Sequence, residues 1–199
     1  MPAPHVVGVT GGIATGKSTV MAILADLGAE PIDADLVYRE LVEPGRPLLN
    51  RLSDHFGEEV IDADGRLDRR SLGSIVFSDP ARLRDLDALT HPAVIKAVVA
   101  RIERSTAEVV AVEAVKLIES GMSALCDETW LVVVRLDVQR ARLMARACLS
   151  PEEADRRLAA QPAEASRRGE VDRVIDNSGS RDDLRRAVEL LWSMTKLPK

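Results

Sequence analysis

Val6-Val7-Gly8-Val9-Thr10-Gly11-Gly12-Ile13-Ala14-Thr15-Gly16-Lys17-Ser18-Thr19 is the stretch on which the reading of this chain turns. Val6 to Thr10 is short, β-branched and closed by two glycines, the pattern of a strand buried on both faces. Beyond it Val20, Ile23, Leu24 and Leu27 recur at helical spacing, and Gly28 predicts the stop. The segment Gly11 to Ser18 fits G-x-x-x-x-G-K-[ST], with the strand before it and helix after it that the motif requires.

Each residue type there has a task. Glycines let the backbone fold so that successive N–H groups point at phosphate oxygens, and the following helix adds its positive end. Lys17 supplies a point charge for β- and γ-phosphates, and the Ser18 hydroxyl suits a ligand of Mg²⁺. Gly12, Ile13, Ala14, Thr15, Gly16, Lys17, Ser18 and Thr19 are therefore candidate nucleotide binders, although Thr19 fits equally a first-turn residue bonding its own backbone.

Working outward, Ala29 to Ile32, Val109 to Val112 and Trp130 to Val134 read as further buried strands, and Val174-Ile175 as a fifth. Helical patterns separate them, so the fold class is α/β, with a five-stranded parallel sheet covered by helices on both faces. The stretch from Asp35 to Glu108 is too long for one crossover and holds turns at Pro44-Gly45, Asp64-Gly65 and Asp79-Pro80. The expected organisation is a core of 1–35, 105–136 and 170–199, a helical insertion over 36–104 and a helical lid over 137–169.

The 199 residues are 46% apolar and only 3% aromatic, which suits a core of Leu, Val, Ile and Ala. A net charge of −5 argues against broad binding to nucleic acid or an anionic membrane. Cys126 and Cys148 have no metal-ligand spacing and are expected to be free in a reducing compartment. With no signal peptide and no span-length apolar run, the expected location is cytoplasmic. Oligomeric state is not legible.

The motif gives nucleotide binding, not the acceptor. No N-K-x-D is present to read guanine. Asp33 and Asp35 fall at the tip of the second strand, where open α/β sheets gather ligands. One of them suits an acceptor hydroxyl; an ordinary aspartate is a feeble base for an alcohol, so orienting the hydroxyl outweighs abstracting its proton. The competing role is to cap the next helix. Between Arg135 and Arg173 lie nine arginines and no lysine. Arg142 and Arg146, four apart on one helical face, are the pair expected to close over phosphate. His91 before Pro92 either binds substrate or simply starts a helix bearing Val94, Val98 and Ile102.

Thr10 to Thr19, then Ile32-Asp33-Ala34-Asp35, resemble the opening of the dephospho-CoA kinase family. Val42-Glu43-Pro44-Gly45, Arg69-Arg70-Ser71-Leu72, Val76-Phe77 and Thr90-His91-Pro92 resemble its CoA-side insertion. Arg142, Gln161 and Val174-Ile175-Asp176-Asn177-Ser178-Gly179 resemble its lid and adenine-side segments. The resemblance implies ATP as phosphoryl donor, Mg²⁺, and transfer to the 3′-hydroxyl of dephospho-CoA, the final step of CoA synthesis. It implies Asp33, Lys17 and Arg142 in catalysis, and Arg146, Asn177 and Gly179 beside the loop as nucleotide contacts. It also implies Thr10, Asp33, Arg70, His91 and Leu117 on the acceptor side.

This chain departs from the family pattern in places. Ala14 stands where glycine is usual, which predicts negative φ there. Glu113 and Lys116 stand where an aspartate and an apolar residue are usual, and Ala147-Cys148 lacks an expected acidic residue. Two other functions fit the loop: a kinase of another small alcohol or nucleotide, and a nucleotide-switched binding module.

Overall fold

The computed structural model describes residues 3–161 and 164–195. Residues 1–2, 162–163 and 196–199, parts of the expected core and lid segments, lie outside them.

The first strand, β1 (His5–Gly11), is central because it is apolar on both faces, with Val7 and Val9 wholly buried. With β2 (Glu30–Asp33), β3 (Val109–Glu113), β4 (Glu128–Val133) and β5 (Arg173–Asp176) it forms a five-stranded sheet in the order β2-β3-β1-β4-β5. β1 runs parallel to β3 and β4, and β4 runs parallel to β5. The strand candidates read from the sequence are these five.

Nine α-helices are described. α1 (Lys17–Asp26) ends at Leu27 and the left-handed Gly28, the stop that the sequence predicts. α2 (Ala34–Leu41), α3 (Pro47–Phe56), α4 (Arg69–Val76) and α5 (Pro80–Ile102) follow β2. α6 (Leu136–Ala147), α7 (Pro151–Ala159) and α8 (Glu164–Arg168) follow β4, and α9 (Arg181–Met194) follows β5. Capping chemistry sets several starts: Ser150 caps α7 ahead of Pro151, and Ser180 with Asp183 forms a capping box on α9.

One helix corrects the sequence reading. Pro92 lies inside the 23-residue α5, so His91 does not open a helix. Leu83, Leu86 and Leu89 before the proline and Ala93 after it pack on a buried cluster. That apolar packing carries the helix across the lost N–H, whose local penalty the sequence alone cannot weigh.

The chain divides into two compact units, one running up to Ile32 and resuming at Ile102, the other spanning Asp33–Arg101. Each has its own core. The first buries Val7, Val9, Val20, Leu24, Ala111, Trp130, Val132 and Val188 about the sheet. The second gathers Val42, Leu48, Leu49, Leu52, Phe56, Val60, Leu72 and Val76 among helices. α6, α7 and α8 group with the sheet.

Candidate nucleotide site

The turn between β1 and α1 has its outward carbonyls held. Lys17 Nζ donates to Gly11 O at 3.1 Å and Gly12 O at 3.2 Å, and Thr15 Oγ1 donates to Gly12 O at 2.9 Å. Gln139 Nε2 donates to Ile13 O at 2.7 Å, and Asn177 Nδ2 to Thr15 O at 2.7 Å. A backbone that turns its N–H groups inward must turn carbonyls outward, and these donors satisfy them. Among the described residues one loop N–H is spent on a side chain, Ile13 N, which donates to Gln161 Oε1 at 2.7 Å. The N–H groups of Ala14, Gly16 and Ser18 meet no described protein acceptor, as an anion cradle requires.

Gly16, the N-cap of α1, sits at φ +96, and a Cβ there would stand 2.1 Å from Asn177 Nδ2. Both the conformation and the crowding call for glycine. Ala14 reverses an expectation: its φ is +58, in the left-handed region, not negative. The loop's path is set by its neighbours' bonds, and alanine bears the strain that glycine would avoid.

Lys17 is 8% exposed, with its ammonium 4.0 Å from Glu113 Oε1 at the end of β3. Ser18 is exposed in the first turn of α1. Two cavities flank the loop. One of about 760 Å³ is lined by Gly12, Thr15, Gln139, Leu158, Gln161 and Arg167, among others. The other, about 360 Å³, is lined by Gly16, Thr19, Arg142, Asn177, Arg181 and Leu184.

The arginines after β4 differ in burial and placement. Arg142 lines the smaller cavity, but Arg146, a turn further along α6, is exposed and lines neither. Arg167 instead is 3% exposed. Its Nε and Nη2 donate to Glu119 Oε1 at 2.8 and 2.6 Å, and Nη2 also to Val115 O at 3.1 Å. Nothing local distinguishes Arg167 from its eight fellows; long-range burial does.

Asn177 is buried at the end of β5, where its N–H donates to Val133 O. The turn that follows is wired: Asp176 Oδ1 accepts from Ser178 Oγ and N, which holds its carboxyl below the usual range. Gly179 lies beside the α9 capping box, where a Cβ would come within 3.0 Å of Asp183 Oδ2.

Thr10 and Leu117, expected on the acceptor side, are both buried. Thr10 is fully buried, donating to Val115 O at 3.2 Å, and Leu117 is fully buried against the Cα of Gly8. Cys126 shares the pocket over Gly8, and burial pushes its thiol up to about 12. Both cysteines are free.

In the other unit, Asp33 is the last residue of β2 and the N-cap of α2. Its Oδ1 accepts from Asp35 N at 2.8 Å and Leu36 N at 3.1 Å. Of the two aspartates that the sequence offers as caps, Asp33 is the one that caps α2, and both bonds fall on one oxygen, leaving Oδ2 outside the cap. Arg70 lies in the first turn of α4, its N–H bonded to the Asp68 cap, and His91 Nε2 lies 3.2 Å from Asp87 Oδ1 on α5.

A parallel sheet whose central strand enters a helix through a glycine loop with a buried lysine, overlaid by arginine-bearing helices, defines a P-loop kinase. Family comparison then narrows the class: the dephospho-CoA kinase model matches residues 5–183. A dephospho-CoA kinase of Symbiobacterium thermophilum is 45% identical over 191 residues, covering 94% of this chain and 80% of that one. One of Geobacter sulfurreducens is 44% identical over 194 residues, covering 95% and 98%. A Thermus thermophilus protein of known crystal structure superposes with a TM-score of 0.84 at 36% identity, covering 97% and 98%. The chain belongs to the dephospho-CoA kinase family.

Proposed function

We propose that the protein transfers the γ-phosphoryl group of ATP to the 3′-hydroxyl of dephospho-CoA, releasing CoA and ADP. The bond from the acceptor oxygen to Pγ forms as the bond from Pγ to the β,γ-bridging oxygen breaks, and the hydroxyl proton leaves. The observation that carries this reading is the loop itself, its outward carbonyls held by Lys17, Thr15, Gln139 and Asn177, in a chain matched along most of its length to that family.

Fixed donors that need no rearrangement stabilise charge as it develops, which is the largest contribution available to phosphoryl transfer. The open N–H groups of Ala14, Gly16 and Ser18 receive phosphate oxygens, and Lys17 supplies the point charge for the β- and γ-groups. Arg142, beside Gly16, Thr19 and Asn177 in the smaller cavity, holds the nucleotide at the helix side of the loop.

Mg²⁺ fits the donors present. The exposed Ser18 hydroxyl and the Glu113 carboxylate are hard oxygens, in the number this ion takes from protein when phosphates and water supply the rest. No group of three His, Cys, Asp or Glu among the described residues would cage it alone. When bound, the ion neutralises charge on the β- and γ-oxygens.

Asp33 takes the acceptor side. Support comes from its place at the C-terminal tip of β2, the strand beside β3, and from the oxygen its cap leaves over. That oxygen orients the hydroxyl and accepts its proton as the new bond forms. Arg70 and His91 are proposed contacts for the CoA portion.

The test is product identification by mass spectrometry after incubating the protein with Mg-ATP and dephospho-CoA, with nucleoside monophosphates as competitors. CoA and ADP in equal amounts are expected. A folded protein that makes no CoA, or that phosphorylates a monophosphate in preference, contradicts the assignment.

A further inference from the structure

Two glutamine side chains hold one peptide unit of the phosphate loop from both ends. Gln139, on α6, donates from Nε2 to Ile13 O at 2.7 Å, and Gln161, just beyond α7, accepts from Ile13 N at 2.7 Å. The orientation of each amide is fixed by chemistry, since a backbone N–H only donates and a carbonyl only accepts. A Cβ at Gly12 would stand 2.9 Å from Gln161 Oε1 and 3.0 Å from Gln139 Nε2. A bare Gly12 is what admits both amide heads.

The two helices are also joined to each other. Arg140 Nε and Nη2 donate to the two oxygens of Asp155, both at 2.7 Å. An α6–α7 pair so joined carries its two glutamines together, so gripping Ile13 sets the pair's register on the loop. Neither the nucleotide motif nor the arginines account for these contacts, and Gln139 lies outside every motif read from the sequence.

We infer that Gln139 and Gln161 are positioning residues: acting through the Ile13 peptide, they dock the α6–α7 pair on the loop and so align the phosphoryl donor and exclude water from it. The inference rests on the kinase reading. Water is the competing acceptor in any such transfer, and a small misplacement of the donor is costly.

The test replaces each glutamine by methionine, which keeps length and removes the bonding group. Gln139→Met and Gln161→Met are compared with wild type for CoA formation, for ADP released without dephospho-CoA, and for KM of ATP. Each single variant is expected to lose roughly tenfold in kcat for transfer while the share of ATP lost to water rises. The double variant is expected to be little worse than either single one, because both cut the same latch. Unchanged partition between transfer and hydrolysis overturns the inference, even if thermal stability falls.

Amide hydrogen exchange in the unmutated, nucleotide-free protein gives an independent reading should a variant fail to fold. The Ile13 N–H is expected to exchange more slowly than those of Ala14 and Gly16; equal rates overturn the latch. This measurement is indifferent to the acceptor, so a wild type that forms no CoA sinks the kinase reading and leaves the exchange result to stand or fall alone.

Discussion

Asn177 Nδ2 donates to the carbonyl of Thr15 at 2.7 Å, joining the end of β5 to the phosphate loop across 162 positions of sequence. The bond is buried, so removing the donor strands a carbonyl. Asn177→Ala is expected to lower unfolding stability by about 1–3 kcal/mol and to raise KM for ATP. Gly16→Ala is expected to be worse than Asn177→Ala, because its Cβ would strike that same amide at 2.1 Å while φ stays at +96. Chemical denaturation of both variants checks the order; a harmless Gly16→Ala contradicts it.

Ala14 offers the opposite change. At φ +58 an alanine bears a cost of roughly 1–2 kcal/mol that glycine does not, against about 0.4–1 kcal/mol of added freedom in the unfolded chain. Ala14→Gly is expected to leave the melting temperature unchanged or slightly raised, with ATP binding kept. A clear drop in melting temperature contradicts the left-handed assignment.

The two thiols should part company. Cys126 is pushed up to about 12 by burial first and by Asp127 and Asp172 second, whereas Cys148 is exposed at the end of α6. Only thiolate attacks an alkylating agent. Iodoacetamide at mildly alkaline pH is expected to label Cys148 quickly and Cys126 only after unfolding, as read by peptide mass spectrometry. Equal labelling of the folded protein contradicts the packing over Gly8.

How far the sequence carried this account depended on how local each signal was. The loop, α1 with its stop at Gly28, and the five strands were legible because glycine punctuation and apolar periodicity act over a few residues. Which of Asp33 and Asp35 caps α2 was not legible, since either aspartate satisfies the same local pattern; Asp33 does. Arg167 was lost among the arginines because burial depends on Glu119 and Val115, some 48 and 52 positions away. Gln139 was not legible: its partner is a backbone carbonyl 126 positions off, and any residue offers one. Gln161 stood out only through resemblance.

Acid should act through Asp172. Its Oδ2 accepts from Thr129 Oγ1 at 2.7 Å and Thr129 N at 2.8 Å, and the hydroxyl first, then the backbone N–H, holds the carboxyl below its usual range. A depressed folded-state pKa contributes stability above the ordinary carboxylate pKa, and that stability is lost as pH falls through the folded value. Asp172→Asn is expected to flatten the acid limb of the stability–pH curve, measured by denaturant midpoints. A limb as steep as wild type contradicts the assignment.

Asp33→Asn tests the centre of the account. Asparagine caps a helix as well as aspartate does, so α2 and the fold should persist and only the acceptor-side carboxylate is removed. With dephospho-CoA and Mg-ATP, the variant is expected to bind ATP as wild type does while kcat for CoA formation falls by roughly 10²-fold or more. Turnover near the wild-type rate would contradict it.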